Sequence, residues 1–425
     1  MTTPYERAAS FLAEILAKSS LDELAQRLRP KPETRAASVP RGAEISPQAV
    51  DERWAMLPCG TGPRKEILDP HTASQMSAYA RNIEHFIGTV KVPIGVIGPL
   101  RVNGLYAQGN YYIPLATTEA ALVASYGRGA SVIADAGGAS AVILNERVGR
   151  APAFIFANLE EVGRFMSWVL GQRENIQRAA ESTTRFGKLV DLRFTVEANH
   201  VYVLMLYETG DAAGQNMATI ATDAAVKWLL ANSPVKPRSA YIEANLSGDK
   251  KASAQSLQGV RGKKVTAEVV LPSALVQRRL HATPAQMEAY SRVAGTGGVL
   301  SGTLGVQGHY ANGLAALFIA CGQDAACVSE AATGVTRFEL TQTGDLYVSV
   351  TLPNLIVGTV GGGTKLPSQH ACLEVLGLAG PDHARALAEV AACVCLAGEI
   401  SIVAAISAGE FVQAHVKFAR GKEPT

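Results

Sequence analysis

Between Val390 and Gly409 the chain runs through Ala, Val, Cys, Leu, Ile, Gly and Ser, with one charge, Glu399, before Glu410 ends it. A stretch this apolar has to be enclosed, either by lipid or by protein. Its makeup decides between the two. It is rich in Ala and Gly and poor in Leu and Phe. A carboxylate stands inside it, where a bilayer would penalise it. The segment therefore reads as a buried helix, or pair of helices.

The 425 residues suffice for two or three domains and such a core. Apolar residues make up 48% and charged residues 18%, the balance of a folded globular enzyme rather than a disordered chain. A formal net charge of +2 argues against a dedicated nucleic-acid binder. Cys59, Cys321, Cys327, Cys372, Cys393 and Cys395 show no zinc-finger spacing, and no metal site is expected. Cys393-Val394-Cys395 suits small apolar positions in a packed helix. No disulfide framework is visible, which points to a reducing cytoplasm. Glu6 and Glu14 interrupt the first apolar residues, so no signal peptide is expected there, and no membrane association.

Residues 1–30 have helical spacing, with Ser20 as a cap ahead of Asp22 and Glu23. Further helices are expected over 46–57 and over 71–87. This N-terminal part is expected to lack a core of its own. Val92 to Leu100 and Tyr111 to Leu115 read as strands, the second ending at Thr117-Thr118-Glu119, with a helix from Glu119 to Arg128. Residues 151–245 give strand, helix, strand, strand, helix, strand, the ferredoxin-like order, as an insertion in a larger domain. Beyond residue 253, a strand is expected from Lys264 to Leu271 and helices over 272–280 and 284–293. Ala294 to Gly308 reads as a glycine-rich loop. Tyr310 to Ala320 reads as a buried helix, Tyr347 to Leu352 as a strand and Pro367 to Gly377 as a helix.

Chemistry concentrates in a few places. Asp324 stands in Ile319-Ala320-Cys321-Gly322-Gln323-Asp324-Ala325-Ala326, a run that would bury it. A buried carboxylate needs a cation or a raised pKa, and perturbed carboxylates gather at active sites. Glu119, at a strand-to-helix junction, Lys250, in Asp249-Lys250-Lys251, and His415 are its candidate partners. Gly358-Thr359-Val360-Gly361-Gly362-Gly363-Thr364 offers successive unhindered amides before a helix, as anion-binding nests do. Gly210 to Met217 joins a strand to a helix through small residues, without the GxGxxG pattern of a Rossmann fold.

Together these segments resemble the 3-hydroxy-3-methylglutaryl-CoA (HMG-CoA) reductase family, in its soluble class I-like form without a membrane anchor. The matching pieces run in order. They are Phe86-Ile87-Gly88 with Val92 to Leu100, Pro114 to Ser125, Gly210 to Met217, Asp249-Lys250-Lys251, Ile319 to Ala326, Gly358 to Thr364 with Gln369, and Ala414-His415. The resemblance implies an α+β fold. Residues 86–150 and 246–425 would form a large domain that binds the CoA thioester, built around a long buried helix. Residues 151–245 would form an inserted ferredoxin-like NADP-binding domain, and residues 1–85 a helical oligomerisation segment.

It also implies an NADPH-dependent, two-step, four-electron reduction of HMG-CoA to mevalonate and CoA in the mevalonate pathway. Lys250 would stabilise the oxyanion, Glu119 would donate the proton, Asp324 would tune both, and His415 would protonate the CoA thiolate. Arg185, Phe186, Asp211, Gly214, Asn216, Met217, Gly358, Thr359, Val360 and Gly361 would hold the nucleotide. Arg150, Glu243, Asp249, Lys251, Asn312 and Ser125 would hold the substrate. The sites would lie between subunits of a homodimer or higher homo-oligomer. Glu243 departs from the serine that the family has there. A carboxylate facing Asp249 raises an alternative, a diverged paralogue acting on another acyl-CoA or carrier-bound thioester, unless Arg150 or Lys251 pairs with it.

Overall fold

The computed structural model describes residues 4–31, 37–259 and 261–411. The chain forms two compact units, Met1–Thr89 and Val90–Thr425.

In the first unit, Ser20 accepts from the Glu23 amide and Glu23 reaches back to the Ser20 amide, so the expected cap is a full capping box for Leu21–Leu28. Contrary to expectation, the unit has a small core of its own, in which Val50, Trp54 and Phe86 are buried. Arg53, only 1% exposed, donates to the carbonyls of Pro40, Glu44 and Phe86 and ties the core together. The helix expected over 71–87 is also corrected. Asp69 caps only Pro70–Ser74, a 3-10 turn follows at Met76–Tyr79, and Arg81 and His85 then take left-handed backbone angles that no helix continues through.

The second unit is built on a ten-stranded sheet. Its strands are β1 (Ile94–Gly104), β2 (Gln108–Ala116), β3 (Ala139–Arg150), β4 (Ala153–Ile155), β5 (Lys188–Glu197), β6 (His200–Glu208), β7 (Ser239–Tyr241), β8 (Arg261–Leu271), β9 (Val335–Leu340) and β10 (Leu346–Leu355). The main path is β7-β4-β6-β3-β8-β10-β9. β5 is added on β6, and β1 runs parallel to β3 while pairing antiparallel with β2.

Strands β4 to β7 realise the ferredoxin-like order, β7-β4-β6-β5, with every neighbour antiparallel. Helices Leu159–Val169, Arg173–Glu181 and Gln215–Asn232 cover this part, around a core of Phe154, Phe156, Phe165, Val203 and Leu229.

The larger core surrounds one continuous helix, Ala384–Ser407, which contains most of the apolar run from Val390 to Gly409. It is the one helix among the described residues with the length and hydropathy to cross a membrane, yet 83% of its most apolar window is buried inside the protein. Its two carboxylates explain why burial suits it. Glu389 accepts from the amides of Leu105, Tyr106 and Ala107 at 3.1, 2.9 and 2.8 Å. Glu399 accepts from Gly308 and His309 at 2.7 and 2.8 Å and from the Thr336 hydroxyl at 2.9 Å. Each buried charge is thus satisfied by a loop that it pins to the core.

Three expectations shift at element ends. The helix after Glu119 begins at Leu122, because Ala121 is left-handed at φ 70°. The helix from Pro284 runs on through the glycines to Ser301. A Thr283–Gln286 capping box fixes its start, and Gly302 at φ 74° closes its end. The run from Ile319 to Ala326 does not bury Asp324. The Tyr310–Ala320 helix stops first, and Asp324 emerges on a turn with its side chain 38% exposed.

Candidate active site

Three chain segments far apart in sequence are stitched into one surface. The Gln323 side-chain amide bonds the Gly358 backbone in both directions, at 2.8 and 2.9 Å. Gly322, at φ 66°, lies so close to Gly363 that a Cβ on it would collide with the Gly363 carbonyl. On its other side, the loop meets the turn before the Gln215–Asn232 helix. The Thr359 amide donates to the Asp211 carbonyl at 2.9 Å, and Ala212 bridges Val360. A Cβ at Gly358 would lie 2.5 Å from the Ala213 nitrogen. The glycines therefore serve close backbone approach here, which no larger residue permits.

On this surface Lys250 Nζ lies 3.0 Å from Asp324 Oδ2. Hydrogen bonding and proximity to Asp324 raise the ammonium pKa above its ordinary 10.5. Partial burial pushes Asp324 up, but Lys250, the Ala326 amide and Gln215 outweigh it and leave the carboxyl below its ordinary 3.8. Gln215 Nε2 lies 3.4 Å from Asp324 and 2.9 Å from Cys327 Sγ, which ties the start of the Gln215–Asn232 helix to the pair. The result is a half-exposed ammonium, charged at neutral pH and fixed in direction. Such a group stabilises negative charge that develops on a bound carbonyl.

Beside it lies a dense charge cluster. Arg150 Nη1 is 2.5 Å from Asp249 and 3.6 Å from Glu243, and Arg150 Nε donates to Thr219 at 2.8 Å. Lys251 Nζ bonds the Asp249 carbonyl at 2.8 Å. Burial raises the Asp249 pKa, but Arg150 and Arg261 more than reverse this and hold it below the ordinary carboxylate range.

Two members of the cluster escape a sequence reading. Arg261 lies 2.7 Å from Asp249 and 3.5 Å from Glu330. Glu330 had a visible signal, a carboxylate among small and apolar residues six places after Asp324, the same argument that singles out Asp324 itself. Arg261 had none, since it opens a strand with Lys263 and Lys264 close behind it.

The nucleotide candidates sit together. Gly214, at φ 78°, precedes the Gln215–Asn232 helix and gives it no side-chain cap. Met217 packs against Gly187, which brings the exposed Arg185-Phe186 turn beside that helix start. Asn216 is exposed on the first turn. The Thr359 hydroxyl is buried and has no hydrogen-bond partner among the described residues, and Gly361 takes φ 77° at the loop's outer bend. Asp211 is different. Its carboxylate accepts from the amides of Asp382 and Ala384 at 2.8 and 3.2 Å and so caps the central helix.

Other candidates stand apart. Glu119 is exposed, its amide bonded to Thr117 Oγ1 at 3.0 Å, and it makes no hydrogen bond or ion pair with Lys250 or Asp324. Ser125 bonds Ser401 at 3.0 Å on the central helix. Asn312, on the Tyr310–Ala320 helix, bonds the His309 carbonyl through its own amide at 3.1 Å. His415 lies outside the described residues.

Residues 49–420 match the protein family described as hydroxymethylglutaryl-coenzyme A reductase. The chain belongs to the hydroxymethylglutaryl-coenzyme A reductase family. Among its relatives, the 3-hydroxy-3-methylglutaryl-coenzyme A reductase of Pyrococcus horikoshii is 41% identical over 349 residues, 80% of this chain and 84% of that protein. The enzyme of the same name from Methanothermobacter thermautotrophicus is 40% identical over 379 residues, 88% of this chain and 94% of the relative. A solved structure of the Streptococcus pneumoniae reductase shares the fold, with a TM-score of 0.63 over 92% of this chain and 98% of that one, at 20% identity.

Within this family member the case for a different thioester loses its ground. Glu243 does not confront Asp249 unpaired. It shares Arg150 with Asp249 and accepts from the amides of Ala151 and Asn245 at 3.3 and 2.9 Å.

Proposed function

We propose that the chain reduces HMG-CoA to mevalonate, with NADPH as the reductant. The single observation that carries the reading is the oriented Lys250–Asp324 pair, placed where the glycine loop and the Gln215–Asn232 helix meet. The balance is HMG-CoA plus two NADPH and two protons to mevalonate, CoA and two NADP+. When bound, NADPH supplies the two hydrides.

The residues present suit that group. An uncapped helix start at Gly214 and the loop bend at Gly361 would donate amides to phosphate oxygens, and Arg185 could meet an anionic group beside Met217. The remaining work belongs to side chains. Lys250 opposes the charge left on the carbonyl oxygen after each reduction. Asp324 keeps that ammonium charged and aimed. Glu119 donates the proton to the product oxygen and His415 to the departing thiolate, roles that a carboxyl and an imidazole can fill. Arg150 and Lys251 receive the substrate's free carboxylate, while Asn312 and Ser125 contact the rest of it.

Residues 151–245 form the nucleotide-binding part, and 86–150 with 246–425 the thioester-binding part. The enzyme is a cytoplasmic homo-oligomer whose sites are completed between subunits. Support comes from the helices Tyr5–Leu16 and Leu21–Leu28 within residues 1–85, which bury no residue and expose Tyr5, Phe11, Leu12 and Leu21.

Steady-state NADPH oxidation tests the reading. HMG-CoA should drive turnover, and Lys250→Ala should lower kcat about a hundred- to a thousandfold, the range for losing one oxyanion-stabilising group. Turnover that ignores HMG-CoA, or survives the substitution, refutes it.

A further inference from the structure

The loop that carries Lys250 is conformationally unfavourable on its own. Asn245, Gly248 and Lys250 all have left-handed backbone angles, φ 63°, 72° and 55°, and two of them are not glycine. A non-glycine residue holds such an angle only when its surroundings impose it. The surroundings in question lie beneath the loop. The Arg261 side chain is fully buried, and the Glu330 side chain is 1% exposed.

Arg261 reaches three ways. Nη1 donates to the Gly149 carbonyl at 2.9 Å, Nη2 faces Asp249 Oδ1 at 2.7 Å, and Nε faces Glu330 at 3.5 Å. Its own amide is fixed by Asn354 Oδ1 at 3.0 Å. Glu330, from the short helix Val328–Ala331, lies six residues beyond Asp324. Burial raises its pKa, and Arg261 opposes that rise. The left-handed residue is thus held through its neighbour: Arg261 pairs with Asp249, and Glu330 pairs with Arg261 from the other side. Glu330, which faces Arg261, and Asp324, the ion-pair partner of Lys250, then both lie in one segment, residues 324–331.

We propose that Arg261 and Glu330 form a buried positioning pair that imposes the left-handed turn at Lys250 and aims its ammonium, so that the pair governs turnover more than binding. This rests on the reading of Lys250 as the oxyanion-stabilising cation. Removing two buried charges of opposite sign can leave a fold intact, whereas removing one leaves the other uncompensated. Arg261 keeps Asp249 and the Gly149 carbonyl when Glu330 is neutralised, so Glu330→Gln is the informative change.

The test is steady-state kinetics on the full-length enzyme, with thermal melting alongside. Glu330→Gln should lower kcat about a hundredfold, the effect of a misplacement near 1 Å, with KM for HMG-CoA and for NADPH within about twofold. In the Arg261→Lys background, the same change should cost under about threefold, because both residues act through one turn. Lys250→Ala runs in parallel. If it abolishes turnover while Glu330→Gln keeps kcat within threefold, the positioning role is refuted and the function stands. If Glu330→Gln raises both KM values as much as it lowers kcat, or if the two changes multiply, the role is likewise refuted. If Lys250→Ala itself is active, the functional reading fails first.

Discussion

Lys250 Nζ and Asp324 Oδ2 stand 3.0 Å apart, each on a turn and each more than a third exposed. Exposure of that degree makes the pair a small term in stability, so its value is in holding charge. Asp324 is the largest cause of the raised Lys250 pKa. A raised cation stays charged until pH climbs through its folded value; a lowered carboxyl stays charged until pH falls through its own. The wild-type pair is therefore intact across neutral pH, with failure confined to both extremes. Asp324→Asn should move the alkaline limb of the kcat profile to lower pH and reduce kcat. A pH–rate series measures this, and an alkaline limb that stays in place counts against it.

Glu243 is the family departure whose effect the structure reverses. It accepts two backbone amides and shares Arg150 with Asp249. Glu243→Ser removes a carboxylate acceptor from the buried Ala151 amide and the exposed Asn245 amide, a loss of about 1 kcal/mol. The expected outcome is a lower denaturation midpoint with HMG-CoA still the substrate. A change of acyl preference on this substitution would restore the paralogue reading.

The parts legible from sequence were those with local causes. The Ser20 cap, the Gln215–Asn232 helix and the βαββαβ order follow from capping residues, turn chemistry and periodicity. The central helix followed from composition. What escaped depended on distant partners. Asp324 looked buried because its neighbours are apolar, but the Gly322–Gly363 contact turns the chain outward first. The glycines after Ala294 suggested a loop, yet the Thr283–Gln286 capping box fixes a helix through them. Arg261 and Glu330 meet under Asp249 only because β8 and the residues after Asp324 converge there.

Gly322→Ala tests the close approach. Its φ of 66° disfavours alanine, and the added Cβ collides with the Gly363 carbonyl. The left-handed angle alone costs about 1–2 kcal/mol. Relief requires the turn and the glycine loop to part, which breaks the Gln323–Gly358 bonds. Thermal stability and kcat should both fall, and KM for NADPH should rise. Unchanged nucleotide KM would separate the loop from nucleotide binding.

Glu389 offers a case with structure and no chemistry. Its carboxylate receives the three successive amides that turn β1 into β2, and Gly104 lies against it too closely for a side chain. Glu389→Gln keeps the shape, but one oxygen becomes an amide nitrogen that points hydrogens at hydrogens. The amides that faced that oxygen then lack an acceptor, a loss of about 1–3 kcal/mol. Scanning calorimetry should show a Tm lower by a few degrees. The kcat of the folded fraction should equal that of the wild type, since the hairpin turn at residues 104–107 holds none of the candidate site residues. A fall in kcat at temperatures where the variant is fully folded would show that the central helix transmits strain from this turn to the Asp211 cap at its start.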